Sequence, residues 1–506
     1  MTVRFIEPRR DDPRLGGNRS YKMVIGGKDV AAASGQTFRR ESPVHPGLIV
    51  GEWPEASRED VEAAIRAARK AFDEGPWPRM TGKERASYLY RISELIKQNA
   101  EELALMESLE VGKTLAGARG EMEHAADLWQ FAAGLVRGLE GTTHNEIGRD
   151  ALGLVLREPI GVVGIVTPWN YPLVIGSERM PWALGAGCTV VIKPSEFTSG
   201  STIRLGQLAR EAGLPDGVLN VVTGLGNPAG QVLAEHPLTD MIAFTGSQRV
   251  GRQIGAFAAP TIKRVGLELG GKGPQVVFAD ADLDAVADQV SGSIFGNQGQ
   301  TCIAGSRLIV EKSVSRDVVD RLAAIAGKVT VGDPLNPETN IGALINPAQI
   351  EKVEGYVDAG RRAGADMVIG GSRVGTAGLF YTPTIFTGIK PDMSIVRDEI
   401  FGPVLTVQTF ETRDEAVAMA NDTIYGLSAM VWSRDINTAL QAIRGIRAGR
   451  CWVNGTREGL AELPVGGYKQ SGQGRERGHK GFAEYSEYKN IYVNLGVSEP
   501  WAPARR

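Results

Sequence analysis

An α/β fold of more than one domain is predicted by three features of the chain. At 506 residues it is too long for a single ordinary core and suits two or three domains. From Gly161 onward, the short apolar runs GVVGIV, CTVVIK, VLNVV and DMIAF alternate with helical segments such as GSTIRLGQLAREAG. That alternation is the pattern of buried parallel strands in βαβ units. After ELGGKGPQVVFADADLDAVADQVSGSIFG it resumes with SRLIVEK and the helix PAQIEKVEGYVDAGRRAGA, which predicts a second α/β domain.

Ahead of the first strands, SREDVEAAIRAARKAF places Ser57 and Asp60 in capping-box spacing and then sets Val61, Ala64, Ile65, Ala68 and Phe72 on one helical face. The breaker-rich loop GPWPRMTG separates it from a second helical stretch, KERASYLYRISELIKQNAEELALMESLEV. At the other end, EYSEYKNIYVNLG has strand character and can pair only at a sheet edge, within the chain or across a subunit boundary. The 64 glycines are spread among turns, with no low-complexity segment or solenoid repeat.

Composition excludes several classes of partner. The 56 basic and 59 acidic residues give a net charge of −3, which argues against a nucleic-acid groove or a polybasic membrane patch. The first thirty residues lack a signal-peptide core and no apolar run reaches membrane-spanning length, so the sequence reads as soluble and cytoplasmic. Cys188, Cys302 and Cys451 are odd in number and without a CxxC, which disfavours a disulfide framework or a thiolate metal site. His45, His124, His144, His236 and His479 show no zinc-binding spacing, so no catalytic metal is expected.

Three residues stand out for chemistry. Cys302 follows the turn GNQGQT, whose glycines let backbone N–H groups approach a reacting atom; a thiolate there can attack a carbonyl carbon, its own N–H holding the oxyanion. Glu268 ends an apolar run before a Gly-Gly turn in GLELGGKG. It is either a general base with a raised pKa or one half of a salt bridge to a neighbour such as Lys272. Asn170, at the end of a predicted strand in IVTPWNYP, either caps the next helix or aims its amide at an oxyanion. Lys193, Ser195 and Glu196 of VIKPSE, and Thr245, Gly246, Ser247 and Gly251 of FTGSQRVG, occupy strand-to-loop switches, where open α/β sheets bind ligands; the second opens a helix suited to phosphate. GLGNPAG adds another glycine turn, and none of these is a GxGxxG fingerprint.

In order, TPWNYP, KPSE, GLGNPAG, FTGSQRVG, LELGGK, NQGQTC, GDPLNPETNIG, EIFGPV, NDTIYGL and PVGGYKQSGQGRE resemble the NAD(P)-dependent aldehyde dehydrogenase superfamily, from MVIGGKDV to NIYVNLG. The resemblance implies that Cys302 attacks the aldehyde, that Asn170 and the cysteine N–H stabilise the oxyanion, and that Glu268 activates the water that hydrolyses the thioester. It places Lys193 and Glu196 on the adenosine ribose, Ser247 near the pyrophosphate, and Glu399 with Phe401 near the nicotinamide ribose, with Gln349 and Lys352 as another cofactor-side pair. Val166, Thr167, Pro168, Trp169, Ser195, Gly226, Gly230, Phe244, Thr245, Gly246, Val250, Leu269 and Gly270 complete the cofactor set. Glu196 would repel a 2′-phosphate, so NAD is favoured, with NADP possible.

The implied architecture is a Rossmann-type NAD-binding domain (1–141 and 160–269), an α/β catalytic domain (270–478) and a small β oligomerisation arm (142–159 and 479–506), giving a homodimer or homotetramer. Two rivals share the fold. A CoA-acylating enzyme usually lacks the general base, and a non-catalytic relative would have lost Cys302, Glu268 or Asn170.

Departures from the family pattern bear on the substrate. Where many members carry an aromatic residue eight positions after the asparagine, this chain has Glu178, and the loop GTREGLAEL lacks the aromatics of many family pockets. The expectation is a polar or oxygenated aldehyde, with Glu178, Arg457 and His124 near the channel. The competing reading pairs Glu178 with Arg179 or another base and turns Arg457 to solvent. Glu476 in GRERG is either a proton relay from Glu268 or an ion-pair partner.

Overall fold

The computed structural model describes residues 3–17, 19–456 and 459–496. Arg457 lies outside the described residues. The first sheet has eight strands in the order Gly472–Gln473, Arg264–Glu268, Met241–Thr245, Val162–Val166, Thr189–Lys193, Leu219–Val221, Met23–Ile25 and Lys28–Val30. The strands from Arg264–Glu268 to Leu219–Val221 run parallel, and the flanking pairs are antiparallel.

The central residues 162–166, 190–192 and 241–244 are apolar because helices cover both faces. Val163, Ile165, Val190, Ile192, Met241 and Ala243 pack on helices Gly82–Gln98, Leu115–Val136 and Gly200–Glu211. The alternate residues Val162, Val166, Val191, Ile242 and Phe244 pack on Arg58–Asp73 and Gln248–Ala258. Each fully buried aliphatic side chain contributes about 1.5–3 kcal/mol. The chain enters this sheet's parallel block at Val162–Val166, builds outward to one side, then returns to build on the other. The strand order therefore reverses between Val162–Val166 and Met241–Thr245, and ligands bind outside the carboxyl ends of strands at such a reversal.

The second sheet has seven strands in the order Asp366–Ile369, Thr384–Thr387, Val404–Phe410, Arg307–Glu311, Pro274–Val277, Ser428–Trp432 and Arg450–Val453, parallel except at Asp366–Ile369. One face buries Val277, Leu308, Val310 and Leu405 against helices Leu283–Phe295 and Ser315–Ala326; the other sets Val276, Ile309, Ala429 and Val431 against Arg413–Asn421 and Ile436–Gly445. A third, antiparallel sheet joins Thr142–His144, Ala151–Pro159 and Ser486–Asn494. The tail strand thus pairs within the chain, from Ser486 opposite Pro159 to Asn494 opposite Ala151.

Local details follow the side chains. The Ser57–Asp60 capping box forms as expected. The second helical stretch is two helices, Gly82–Gln98 and Ala100–Val111. Asn99 divides them because its Nδ2 donates to the Leu95 carbonyl at 2.7 Å, satisfying an end carbonyl that a continuing helix would use. Among the described residues, no helix is long and apolar enough to cross a membrane.

Candidate active site

Cys302 follows helix Leu283–Phe295, capped at its start by Asp282. The helix stops at Gly296, and Asn297, Gln298 and Gly299 then adopt left-handed φ values of 50°, 58° and 71°. Such a run costs energy in non-glycine residues, and the surroundings hold it. Gln298 Nε2 donates to Gly112 O at 3.2 Å, Asn297 Nδ2 to Gln300 O at 3.2 Å, and Ile345 N to Gln300 Oε1 at 3.0 Å. Only glycine fits at 299, where a Cβ would lie 2.1 Å from Gly402 O. The Cys302 N–H has no acceptor among the described residues. Burial, with Glu399 and Glu178 nearby, pushes its thiol up to about 12, against the pull of Arg450.

Asn170 stands four residues beyond the end of its strand at Val166, a correction to its predicted place at the strand end. It does not cap the following helix, whose N-cap is Tyr171 without a side-chain bond. Its buried Nδ2 instead donates to Gln300 O at 2.9 Å, and Tyr171 Oη meets Thr301 Oγ1 at 2.8 Å, so the strand-end loop clamps the cysteine turn.

Glu268 is the last residue of Arg264–Glu268. Its Oε1 is buried with no partner among the described residues, and burial raises the carboxyl to about 8, against the pull of Arg179. It makes no ion pair with Lys272, whose own buried Nζ lacks a partner among the described residues. Behind it, Arg179 Nε donates to Glu476 Oε1 at 3.0 Å and Tyr485 Oη to Glu476 Oε2 at 2.8 Å, all buried. Of the two sequence readings of Glu476, the ion pair is present, with Arg179 as partner. Arg179→Met would strand the Glu476 carboxylate and is expected to destabilise the protein by about 3–5 kcal/mol, read as a lower urea midpoint. Adding Glu476→Gln should recover most of that; an unchanged midpoint in the single variant would count against the pair.

Two cavities meet at the cysteine. One, of about 210 Å³, is lined by Pro168, Trp169, Asn170, Thr245, Gly246, Ser247, Leu269, Gly270, Cys302, Gln349, Lys352, Glu399 and Phe401. Glu399 accepts from Gly271 N at 3.0 Å, and a Cβ on Gly270 would come within 2.1 Å of Glu399 Oε2, so a side chain there would displace this carboxylate. Gln349 Nε2 donates to Phe401 O at 2.7 Å, fixing that residue at φ 61°. Ser247 caps helix Gln248–Ala258, accepting from Val250 N. Val166 and Phe244 are core residues beneath this wall rather than lining ones. Lys193, Ser195, Glu196, Gly226 and Gly230 lie beyond it at the ends of the neighbouring strands, where Lys193 Nζ donates to Pro194 O and Gly224 O and Thr167 N to Lys193 O at 3.1 Å.

The other cavity, of about 230 Å³, is lined by His124, Tyr171, Val174, Ile175, Glu178, Thr245, Glu268, Thr301, Cys302, Ile303, Leu427, Arg450, Gly459, Val465, Gly466 and Arg477. Glu178 pairs with Arg477 rather than with Arg179. Burial works against its charge, but Arg477 and Arg450 outweigh it and hold its pKa below the usual value.

The aldehyde dehydrogenase family model matches residues 30–491. The chain belongs to the aldehyde dehydrogenase family. It is 44% identical over 479 residues to betaine aldehyde dehydrogenase of Bacillus subtilis, covering 94% of this chain and 98% of that one. Among solved structures, an NAD-dependent aldehyde dehydrogenase from Sinorhizobium meliloti is 61% identical with a TM-score of 0.97, covering 98% and 99% of the two chains. Betaine aldehyde dehydrogenase from Staphylococcus aureus in complex with NAD+ is 36% identical with a TM-score of 0.93, covering 96% and 97%.

Within this aldehyde dehydrogenase, sequence reasoning missed Arg450 and Arg477. Arg450 opens a strand of the second sheet, and Arg477 directly follows Glu476. Nothing in their spacing announces that they face Cys302's cavity, because the second sheet and the returning tail bring them there.

Proposed function

We propose that this chain oxidises a polar aldehyde to its carboxylic acid with NAD, through Cys302 as nucleophile. The observation that carries the reading is that Cys302 stands where the two cavities meet, open to a cofactor on one side and a substrate on the other. The cofactor-side residues suit NAD: Glu399 beneath the glycine wall for the nicotinamide ribose, the Ser247 helix start for pyrophosphate, and Glu196 to accept from ribose hydroxyls and repel a 2′-phosphate. When bound, NAD supplies the hydride acceptor.

The chain's own groups do the rest. Cys302 Sγ adds to the aldehyde carbon, holding the substrate in place for transfer. Asn170 Nδ2 and the Cys302 N–H face the resulting oxyanion. Glu268, unpartnered and raised, takes the proton from the water that releases the acid. Glu476 acts at one remove, fixing the Arg179 charge that bears on Glu268. Asn170→Ala is expected to lower kcat by about 10²–10³-fold with KM little changed; a loss below about threefold would remove Asn170 from the oxyanion site.

Assembly and domain division belong to the same reading. The three-stranded sheet leaves the long strand Ser486–Asn494 at an edge, with Tyr488 and Tyr492 exposed, a surface suited to a partner copy in a dimer or tetramer. Residues 1–141 and 160–269 form the cofactor domain and 270–478 the catalytic domain, with two crossings: Arg4–Ile6 pairs with Thr330–Gly332, and Gly472–Gln473 with the strand of Glu268.

The test is NADH formation across short aliphatic, aromatic, amino, hydroxy and carboxylate-bearing aldehydes, with NAD or NADP and with or without CoA. Free acid without CoA, and NAD preferred, is the expected result. Acyl-CoA formed only when CoA is present would overturn the hydrolytic route.

A further inference from the structure

Two arginines, Arg450 and Arg477, line the substrate-side cavity. Arg477 is buried, and besides the nitrogen given to Glu178, its Nε and Nη1 have no partner among the described residues. Its backbone is held at φ 63°, a strained conformation for any residue with a Cβ, such as marks functional positions. The Arg450 side chain has no hydrogen bond or ion pair among the described residues and stacks over Trp452 at 5.1 Å. A Cβ built on Gly459 would lie 3.1 Å from Arg450 Nη2, 3.1 Å from Arg477 Nη1 and 3.3 Å from His124 Nε2. The three nitrogens therefore converge on one part of the wall. Two guanidiniums and two carboxyls, Glu178 and Glu268, line the cavity among the described residues; Glu178 is held charged by Arg477, whereas burial raises Glu268 to about 8.

We propose that this aldehyde dehydrogenase acts on short aldehydes carrying a terminal carboxylate, held by Arg450 and Arg477 while Cys302 engages the aldehyde end. A guanidinium whose nitrogens are buried and unpaired costs free energy, and a carboxylate oxygen is the acceptor that removes this cost with charge-assisted bonds. The carboxylate takes no part in the reaction. Cys302 Sγ bonds to the aldehyde carbon, its hydride passes to NAD+, and water breaks the C–S bond, leaving a dicarboxylate, NADH and protons.

The same wall disfavours the cationic substrate named for the betaine aldehyde dehydrogenase relatives. A quaternary ammonium needs aromatic faces. Tyr171 is the one Phe, Tyr or Trp ring among the described lining residues, and Lys113 Nζ already sits 4.6 Å over it.

This inference rests on the proposed reaction at Cys302, and the experiment separates the two. kcat/KM is measured with NAD for the semialdehyde of succinate, its uncharged methyl ester, butanal and betaine aldehyde. The semialdehyde is expected to exceed its ester and butanal by about 10–100-fold, with betaine aldehyde poorest. Arg450→Gln and Arg477→Gln should each cut the semialdehyde-to-ester ratio about tenfold or more, chiefly through KM. As a check on unaltered protein, succinate should inhibit butanal oxidation competitively and more strongly than butyrate. Equal or better use of the ester or betaine aldehyde, with Cys302-dependent NADH formation intact, overturns the anion proposal alone. No NADH from any of the four overturns both readings.

Discussion

Cys302→Ala is expected to lose aldehyde-dependent NADH formation by at least about 10⁴-fold while still binding NAD. The size of the effect follows from the position of the sulfur. Without Sγ nothing holds the aldehyde carbon between the two cavities, and a free aldehyde is a far poorer hydride donor than a thiohemiacetal. The thiol is buried and raised, so it reacts only as a proton leaves it. Absorbance at 340 nm, with NAD binding followed by quenching of protein fluorescence, checks both halves. Activity within tenfold of the parent would mean that another group forms the bond to substrate.

Glu268→Gln should lower steady-state turnover by about 10²–10⁴-fold yet leave a first-turnover burst of NADH, because hydride transfer precedes hydrolysis. In the parent, the base form of Glu268 is the active one and its pKa is raised to about 8 by burial. Turnover limited by hydrolysis therefore rises with pH, levels off above about 8, and falls about tenfold per unit below it. The same shift affects stability. The folded state binds this proton more tightly than the unfolded chain, so stability from this group is full below the ordinary carboxyl pKa and is lost as pH rises to about 8. The Gln variant should be missing both dependences. Stopped-flow absorbance and urea midpoints across that window measure them, and a variant with an unchanged pH profile would rule Glu268 out as the base.

The two large sheets were legible because doubly covered parallel strands are apolar along their middle, as VVGIV and MIAF are. The capping box at Ser57 was legible for a similar reason, since both partners lie within one turn. What the sequence hid is long-range. The pairing of Glu178 with Arg477 spans 299 residues, and it exists only because the tail folds back over the first sheet. Local spacing suggested Lys272 for Glu268 and Arg179 for Glu178; the fold instead buries Lys272 unpaired and turns Arg179 to Glu476. Asn170 was read as a helix cap or an oxyanion donor at a strand end; the loop instead runs four residues past Val166, the cap is not made, and one Nδ2 hydrogen goes to the cysteine turn. The Asn99 break was missed because periodicity continues across it, and only the side-chain bond to Leu95 O interrupts the helix.

Glu268→Gln, mixed with NAD and an aldehyde, quenched in acid within the burst and digested, offers the most direct measurement. The Cys302 peptide should carry the mass of the acyl group, with Cys188 and Cys451 unmodified. Acid product accumulating while the Cys302 peptide stays unmodified would contradict covalent catalysis at this site.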